Sequence, residues 1–93
     1  MQLQVEFYNA EKNAKVENYI LDFLKKHFNQ RFIQSISVSI KKQEGKILPW
    51  KLEIELNSKA GVILHTQSRS DDSILAFSEA ATNLEKKVFK VRA

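Results

Sequence analysis

The segment that decides the fold is Trp50–Asn57, which reads WKLEIELN. Its large apolar residues occupy alternate positions, and lysine, glutamate and asparagine occupy the positions between them. Successive side chains of a β-strand point to opposite faces, so this alternation predicts a strand with one buried and one solvated face. The chain is therefore expected to contain a sheet that is covered on one side only.

Three further segments, residues 2–7, 35–41 and 62–69, show the same two-residue period. The residues predicted to face the core of these strands are Leu3, Val5, Phe7, Ile36, Val38, Ile40, Val62, Leu64 and Thr66. The residues predicted for the open face of the whole sheet are Gln2, Gln4, Glu6, Ser35, Ser37, Ser39, Lys41, Lys51, Glu53, Glu55, Ile63, His65, Gln67 and Arg69. The open face is thus mostly polar, as expected for a solvated sheet surface.

Two other segments have apolar residues at helical spacing. From about residue 11 to residue 28 the apolar side of the helix comprises Val16, Tyr19, Ile20, Phe23, Leu24 and His27. In the last segment it comprises Ile74, Phe77, Ala81, Leu84, Val88 and Val91. Asn9 is predicted at a turn or helix cap, and Ser70, Asp71 and Asp72 can cap the start of the last helix.

The predicted order of elements is β-α-β-β-β-α. Helices with one apolar stripe and a sheet with one apolar face bury each other when both helices cover one face of the sheet. The sequence therefore predicts an α/β fold of the two-layer α+β type, similar to the double-stranded-RNA-binding-domain fold. The first two strands should be parallel and the remaining pairs antiparallel, which makes a mixed four-stranded sheet. With 93 residues, we expect a single domain over residues 1–93.

The composition excludes several classes of function. There is no cysteine, which excludes a disulfide scaffold, thiolate catalysis and cysteine-based metal sites. No apolar run approaches the roughly 20 residues that span a bilayer, and the N-terminus lacks the pattern of a signal peptide. We therefore expect a cytoplasmic protein with no membrane partner, no metal, no cofactor and no small-molecule substrate.

Residues suited to catalysis do not form a recognisable motif. His27 and His65 are the only histidines, and neither lies in a metal-binding or catalytic spacing. Glu53 and Glu55 are explained by a solvated strand face, and the aspartates before the last helix by capping. The sequence therefore predicts that the protein is not an enzyme, since an enzyme would need a pocket that joins His65 to a carboxylate.

Basic residues favour a nucleic-acid partner. The net charge of +4 is a moderate bias, but Lys86, Lys87, Lys90 and Arg92 form a ridge along the last turns of the second predicted helix. Such a ridge can follow RNA phosphates without reading sequence. A second group near the end of the first helix comprises Lys25, Lys26 and Arg31, and side-by-side helices would bring the two groups together. No pair of stacking aromatics is predicted on the central strands, which favours shape and phosphate contacts over base reading.

A family resemblance extends along the chain. Residues 65–77, HTQSRSDDSILAF, resemble the junction between the last strand and helix of the ribosome hibernation-promoting, ribosome-associated inhibitor family, where a strand such as His-Ala-Ser-Ala leads to Asp-x-Tyr-Ala-Ala-Ile. Residues 84–92, LEKKVFKVR, resemble its closing Leu-x-Arg-Gln-Leu-x-Lys-x-Lys. Residues 1–5 and the order of elements are also similar to this family, which carries the label sigma-54 modulation protein as well.

The resemblance implies a ribosome-binding function. Members bind the small ribosomal subunit at the decoding region and hold ribosomes inactive in stress or stationary phase, with basic helix residues on ribosomal RNA (rRNA) phosphates. Lys86, Lys90 and Arg92 match basic positions of the last helix, Asp72 matches its opening aspartate, and Lys26 matches a basic position of the first helix. The expected partner is the small subunit and its rRNA, and the free protein is expected to be a monomer.

This chain departs from the family pattern at several positions. Ile74 stands where the family has tyrosine, and Ser78 replaces a common aspartate. The sequence also stops just after Arg92, without the longer basic tail and second domain of long members, so a short form is expected.

Two other readings of the basic residues stay open. A double-stranded-RNA-binding domain would need lysines at the start of the last helix, where this chain has Ser70–Asp72 instead. A protein-interaction or structural module without a nucleic-acid role is the second. A continuous basic ridge over both helices would favour RNA, whereas a ridge broken by Asp22, Glu79 and Glu85 would favour the interaction module.

Overall fold

The computed structural model describes residues 1–28 and 31–92, with the side chains of Val91 and Arg92 outside the described part. Its elements are β1 (Gln2–Tyr8), α1 (Ala14–His27), β2 (Ile33–Lys42), β3 (Trp50–Ser58), β4 (Ile63–Ser70) and α2 (Ser73–Arg92). This order is the predicted β-α-β-β-β-α. None of the described helices is long and apolar enough to cross a membrane.

The four strands form one mixed sheet in the order β1-β2-β3-β4. β1 and β2 are parallel, and β2–β3 and β3–β4 are antiparallel, as the short connections and the single helical crossover require. Val38 lies opposite both Val5 and Ile54, so the core-facing residues of neighbouring strands are in register. β2 begins at Ile33, two residues before the predicted strand, and its pairing with β3 contains a register shift between Ile33 and Ser35.

Both helices cover the same face of the sheet, which confirms the two-layer prediction. The buried apolar side chains come from both helices and from β2 and β3, whereas the apolar residues of β1 are only partly buried. The buried hydrophobic residues are Val16, Ile20, Leu24, Phe28, Ile33, Ile36, Val38, Ile40, Leu52, Ile54, Leu56, Ala76, Phe77, Ala80, Ala81, Leu84 and Val88. The alanines of α2 allow its backbone close to the sheet, where the Thr66 hydroxyl donates to the Ala80 carbonyl at 3.0 Å.

The helix starts are set by side-chain caps. Asn13 caps α1, because its Oδ1 accepts hydrogen bonds from the backbone N–H groups of Lys15 at 3.0 Å and Val16 at 3.2 Å. The prediction of a start near residue 11 was therefore about one turn too early. Asn9, predicted at a turn or helix cap, lies in the bend after β1 with a left-handed φ of 55°. Asp72 caps α2 as predicted, accepting from the N–H groups of residues 74 and 75.

Two residues assigned to the apolar side of α1 lie at its margin. Tyr19 is 42% exposed, and the His27 side chain is 46% exposed. The Tyr19 ring packs edge-on against Phe77, with centroids 6.3 Å apart, and His27 stacks on Phe23 at 4.0 Å. These rings cover the contact between the helices, so they remain half in solvent while Phe77 beneath them is buried.

Candidate nucleic-acid interface

The two helices run in the same direction, which brings their C-terminal ends together. Phe23 of α1 packs against Phe77 of α2, with ring centroids 5.2 Å apart. His27, one turn after Phe23, meets Glu85, about two turns after Phe77, with Nδ1 3.8 Å from Oε1. Positions on the two helices thus advance together. This parallel arrangement follows from the topology of the sheet. β1 and β4 point in the same direction, and each is followed by a helix that runs back along the sheet in the opposite direction. All predicted basic residues of both helices consequently lie at one end of the molecule.

The lysines of α2 are exposed and form the larger group, here called the helix-end lysines: Lys86, Lys87 and Lys90. Lys86 and Lys90 are four residues apart and share one face of the helix. Lys87 lies over the edge of β4, where its ammonium donates to the His65 carbonyl at 2.6 Å. Phe89, 73% exposed, lies beside them on the same turns. Their charge is favourable at the negative end of the helix dipole, which also makes them compatible with a purely structural role.

The group on α1 stays separate from the helix-end lysines. Lys26 follows Phe23 by three residues and so lies on the side of α1 that faces α2, whereas Lys25 turns away from α2. Both are exposed, as is Arg31 in the turn after α1. The pair of His27 and Glu85 lies between them and the α2 group. The predicted single ridge is therefore two groups at one end of the molecule, interrupted by one carboxylate.

Two of the acidic residues that could break the basic ridge, Glu79 and Asp22, lie away from its centre. The Glu79 carboxylate accepts from the Ser68 hydroxyl at 2.5 Å, which holds it over β4. Asp22 is exposed on α1. The side chain of Arg92, also predicted to contact RNA, lies outside the described residues.

A second basic group, without a predicted role, lies on the open face of the sheet. Strand register places Lys41 directly opposite Lys51, Lys51 opposite Arg69, and Tyr8 opposite Lys41. These four residues, here called the sheet row, cross all four strands at the end where both helices begin. Strands are about 4.8 Å apart, so the three cations lie within about 10 Å of one another at the backbone. Counting residues outward from the β2–β3 loop could have revealed this alignment.

The charges of the sheet row are only partly balanced. Lys51 pairs with Glu53 at 3.2 Å, and that hydrogen bond, with a weaker one from His65 at 3.5 Å, lowers the pKa of the Glu53 carboxyl below its ordinary value. Within residues 1–28 and 31–90, neither Lys41 nor Arg69 forms an ion pair. Tyr8 donates its hydroxyl to the neighbouring Glu6 carboxylate, and this hydrogen bond raises the pKa of the phenol.

An open cavity of about 410 Å³ adjoins the sheet row. Its lining residues are Tyr8, Asn9, Ser39, Lys41, Lys51 and Glu53. It therefore brings together an aromatic ring, an amide, a hydroxyl and two ammonium groups, with the Glu53 carboxylate paired to Lys51. This chemistry suits a ligand that carries both a planar apolar group and a negative charge.

His65 does meet a carboxylate, but the pair is poorly suited to catalysis. Its Nε2 lies 3.5 Å from Glu53 Oε2, and both side chains are well exposed, at 49% and 39%. His65 does not line the cavity beside Glu53. A general base works best with a pKa near the operating pH, and the pKa of Glu53 is moved in the opposite direction. Among the described residues, no three histidine, aspartate or glutamate side chains cluster as a metal site.

The fold and its basic groups define a small two-layer α+β protein whose surface suits polyanions. The family model described as "Sigma 54 modulation protein / S30EA ribosomal protein" matches residues 3–93, and the chain belongs to this family. The resemblance seen in the sequence is thereby confirmed. Membership makes the chain a ribosome-associated protein of the hibernation type.

Solved structures share the fold, among them one from Coxiella burnetii and one from Thermus thermophilus. A ribosomal subunit interface protein from Coxiella burnetii superposes with a TM-score of 0.77 at 19% identity, covering 99% of this chain and 98% of that one. The N-terminal domain of Protein Y from Thermus thermophilus gives a TM-score of 0.80 at 18% identity, covering 98% and 99%. At these identities the likeness establishes the architecture. No curated protein sequence matches the chain significantly.

Proposed function

We propose that this protein binds the small ribosomal subunit near the decoding region and holds ribosomes inactive during stress or stationary phase. Its contacts are phosphate contacts to rRNA from the C-terminal ends of α1 and α2. The observation that carries the proposal is that parallel packing gathers the exposed basic residues of both helices at one end of a ribosome-associated family member. In this proposal the protein acts in the cytoplasm, without catalysis or a cofactor.

The geometry of the helix-end lysines supports phosphate contact. Lys86 and Lys90 present flexible ammonium groups from one rigid helix face, which can follow a folded RNA backbone without specifying bases. Lys87 uses one of its three N–H groups on the His65 carbonyl and keeps two for a phosphate. The exposed Phe89 ring supplies an apolar surface beside the cations. The family's tyrosine at the start of α2 is replaced by Ile74, so this chain has no aromatic ring at that position.

Sedimentation tests the proposal directly. Purified protein is mixed with purified small and large ribosomal subunits and centrifuged through a sucrose gradient at low salt. We expect it in the small-subunit fractions, and also with ribosomes from stationary-phase cells. Protein that stays at the top of both gradients would contradict the proposal.

The contact residues are tested by salt dependence. The triple variant Lys86→Ala, Lys87→Ala, Lys90→Ala should bind small subunits more weakly, with a salt slope lower by up to about one unit for each lost phosphate contact. A matched variant removes three lysines at the other end of the molecule, at positions 12, 15 and 46, and should keep more of the affinity and slope. Equal losses in the two variants would show that only overall charge matters.

A further inference from the structure

We propose that the sheet row is a second RNA-contact surface, which holds a single-stranded RNA segment with one base stacked on Tyr8 and consecutive phosphates on Lys41, Lys51 and Arg69. This proposal rests on the proposed function in one respect: ribosome binding identifies the RNA as ribosomal. Its contacts are separate from those of the helix-end lysines, because they lie on the opposite face of the sheet and at the other end of the molecule.

The first argument is the alignment of like charges. Residues directly opposite on neighbouring strands have side chains in contact range, and like charges there oppose folding. Lys41, Lys51 and Arg69 occupy consecutive positions of this kind across three strands. Among the described residues, the carboxylate that relieves this repulsion is Glu53, which pairs with Lys51. An anion that bridges the row would therefore bind to a surface already assembled to receive negative charge.

The second argument is the aromatic ring at the end of the row. Tyr8 lies opposite Lys41 and is 45% exposed, although it belongs to an otherwise polar strand face. Its hydroxyl is held by Glu6, which keeps the ring at the rim of the cavity shared with Lys41 and Lys51. An exposed ring next to cations is the combination that single-stranded nucleic acids require, because every base has a face that stacks and every linkage carries a charge.

The acidic residues of the open face favour RNA over an acidic peptide. Glu6, Ser39 and Glu53 form the next row of the sheet. Because two of these residues are carboxylates, a negatively charged ligand is confined to the sheet row at the end of the sheet. Both carboxylates are already engaged, one by Tyr8 and the other by Lys51. An acidic peptide would use the cations but leave the Tyr8 ring unused, whereas a nucleotide uses both.

The two basic surfaces are too far apart to hold the same few nucleotides. From Ser73 to Lys90, α2 rises about 25 Å at 1.5 Å per residue, within a molecule whose longest dimension is 40 Å. The sheet row lies near Ser73, at the start of α2, and the helix-end lysines lie at the other end of this helix. Variants of one surface should therefore leave contacts of the other surface intact.

The test measures binding of the full chain to a fluorescent single-stranded oligouridylate of roughly eight nucleotides, by anisotropy over a range of salt. The double variant Lys41→Ala, Arg69→Ala should bind at least about ten-fold more weakly, with a salt slope lower by about 1.4, since each phosphate contact on single strands contributes about 0.7. The control Lys15→Ala, Lys59→Ala loses the same charge and should change affinity less than about two-fold.

The ring is tested separately. Tyr8→Ala should weaken oligouridylate binding at least about five-fold through lost stacking, and Tyr8→Phe should retain it. NMR titration of the unmodified protein should shift the amide signals of the sheet row, and the Lys41→Ala, Arg69→Ala variant should lose these shifts.

Each contrary result has a defined meaning. Equal affinity losses in the sheet-row and control variants, or signal shifts confined to the end of α2, would overturn the proposal. Displacement of the RNA by polyglutamate as effectively as by unlabelled oligouridylate would also overturn it and assign the row to acidic peptides. A protein that binds oligouridylate through the row but does not sediment with small subunits would overturn the ribosomal function and leave this surface established.

Discussion

The two basic surfaces of this molecule arise in different ways. The helix-end lysines come from one continuous segment of α2, so their proximity follows from the helical period alone. The cations of the sheet row come from three strands, and the residues that join them, such as Lys41 and Arg69, are far apart in sequence. The helix group also gains from its position at the negative end of a dipole, whereas the row consists of like charges that face each other. Equal numbers of cations therefore stabilise one surface and strain the other.

The largest expected effect tests whether both surfaces depend on one core. Phe77 is fully buried and contacts both Tyr19 and Phe23 of α1. Phe77→Ala should lower the free energy of unfolding by about 3–5 kcal/mol, measured by urea denaturation. Leu75→Ala, at a residue 53% exposed, is the control and should change it by less than about 0.5 kcal/mol. If Phe77→Ala cost no more than the control, the packing between the helices would not support the fold.

A smaller effect separates the two ends of α2. Asp72→Ala removes the acceptor for the N–H groups of Ile74 and Leu75 and should cost about 1 kcal/mol. Hydrogen exchange should accelerate at the first turn of α2, beside the sheet row, and stay unchanged around Lys90. Asp71→Ala is the matched control, because its carboxylate meets only the Ser70 hydroxyl. Equal acceleration along the whole helix would show that α2 opens as one unit.

A third prediction contrasts the electrostatics of the two surfaces. Lys41→Gln should raise the free energy of unfolding by about 0.2–1 kcal/mol, because it relieves repulsion across the strands. Lys90→Gln should lower it by about 0.3–1 kcal/mol through loss of the favourable dipole interaction. Both changes should shrink in high salt. Thermal or urea denaturation at two salt concentrations measures them, and effects of the same sign would remove the proposed distinction.

The smallest expected effect concerns pH. The hydrogen bond from Lys51 lowers the pKa of Glu53 in the folded protein, so the unfolded chain binds more protons as pH falls towards that value. The contribution of the ionised Glu53 carboxylate to the free energy of unfolding is complete above the ordinary carboxyl pKa. It is lost as pH falls through the lowered pKa of the folded protein. Glu53→Gln should therefore flatten the decline in stability at acidic pH. Glu55→Gln on the same face is the control, and an equal flattening there would contradict this assignment.

Much of the architecture could be read from local patterns. The alternation in Trp50–Asn57 and the helical spacing around Phe77 predicted the elements, and their apolar faces predicted the two layers. The exposed helix-end lysines and the Asp72 cap were also predicted. The start of α1 was placed too early, since Asn13 supplies the cap and nothing in the apolar pattern marks that residue.

Periodicity in the sequence therefore specified the elements, their order and most of the buried positions, because it acts between residues that are neighbours along the chain. Val62, assigned to the buried face of the fourth strand, was an error, since it precedes β4 and is 40% exposed. Tertiary structure alone decided that Glu85 and His27 interrupt the basic end of the helices. It also decided that Lys41, Lys51 and Arg69 form one row beside Tyr8. Both outcomes depend on helix packing and strand register, which join residues distant in sequence and are set by the fit of the whole core.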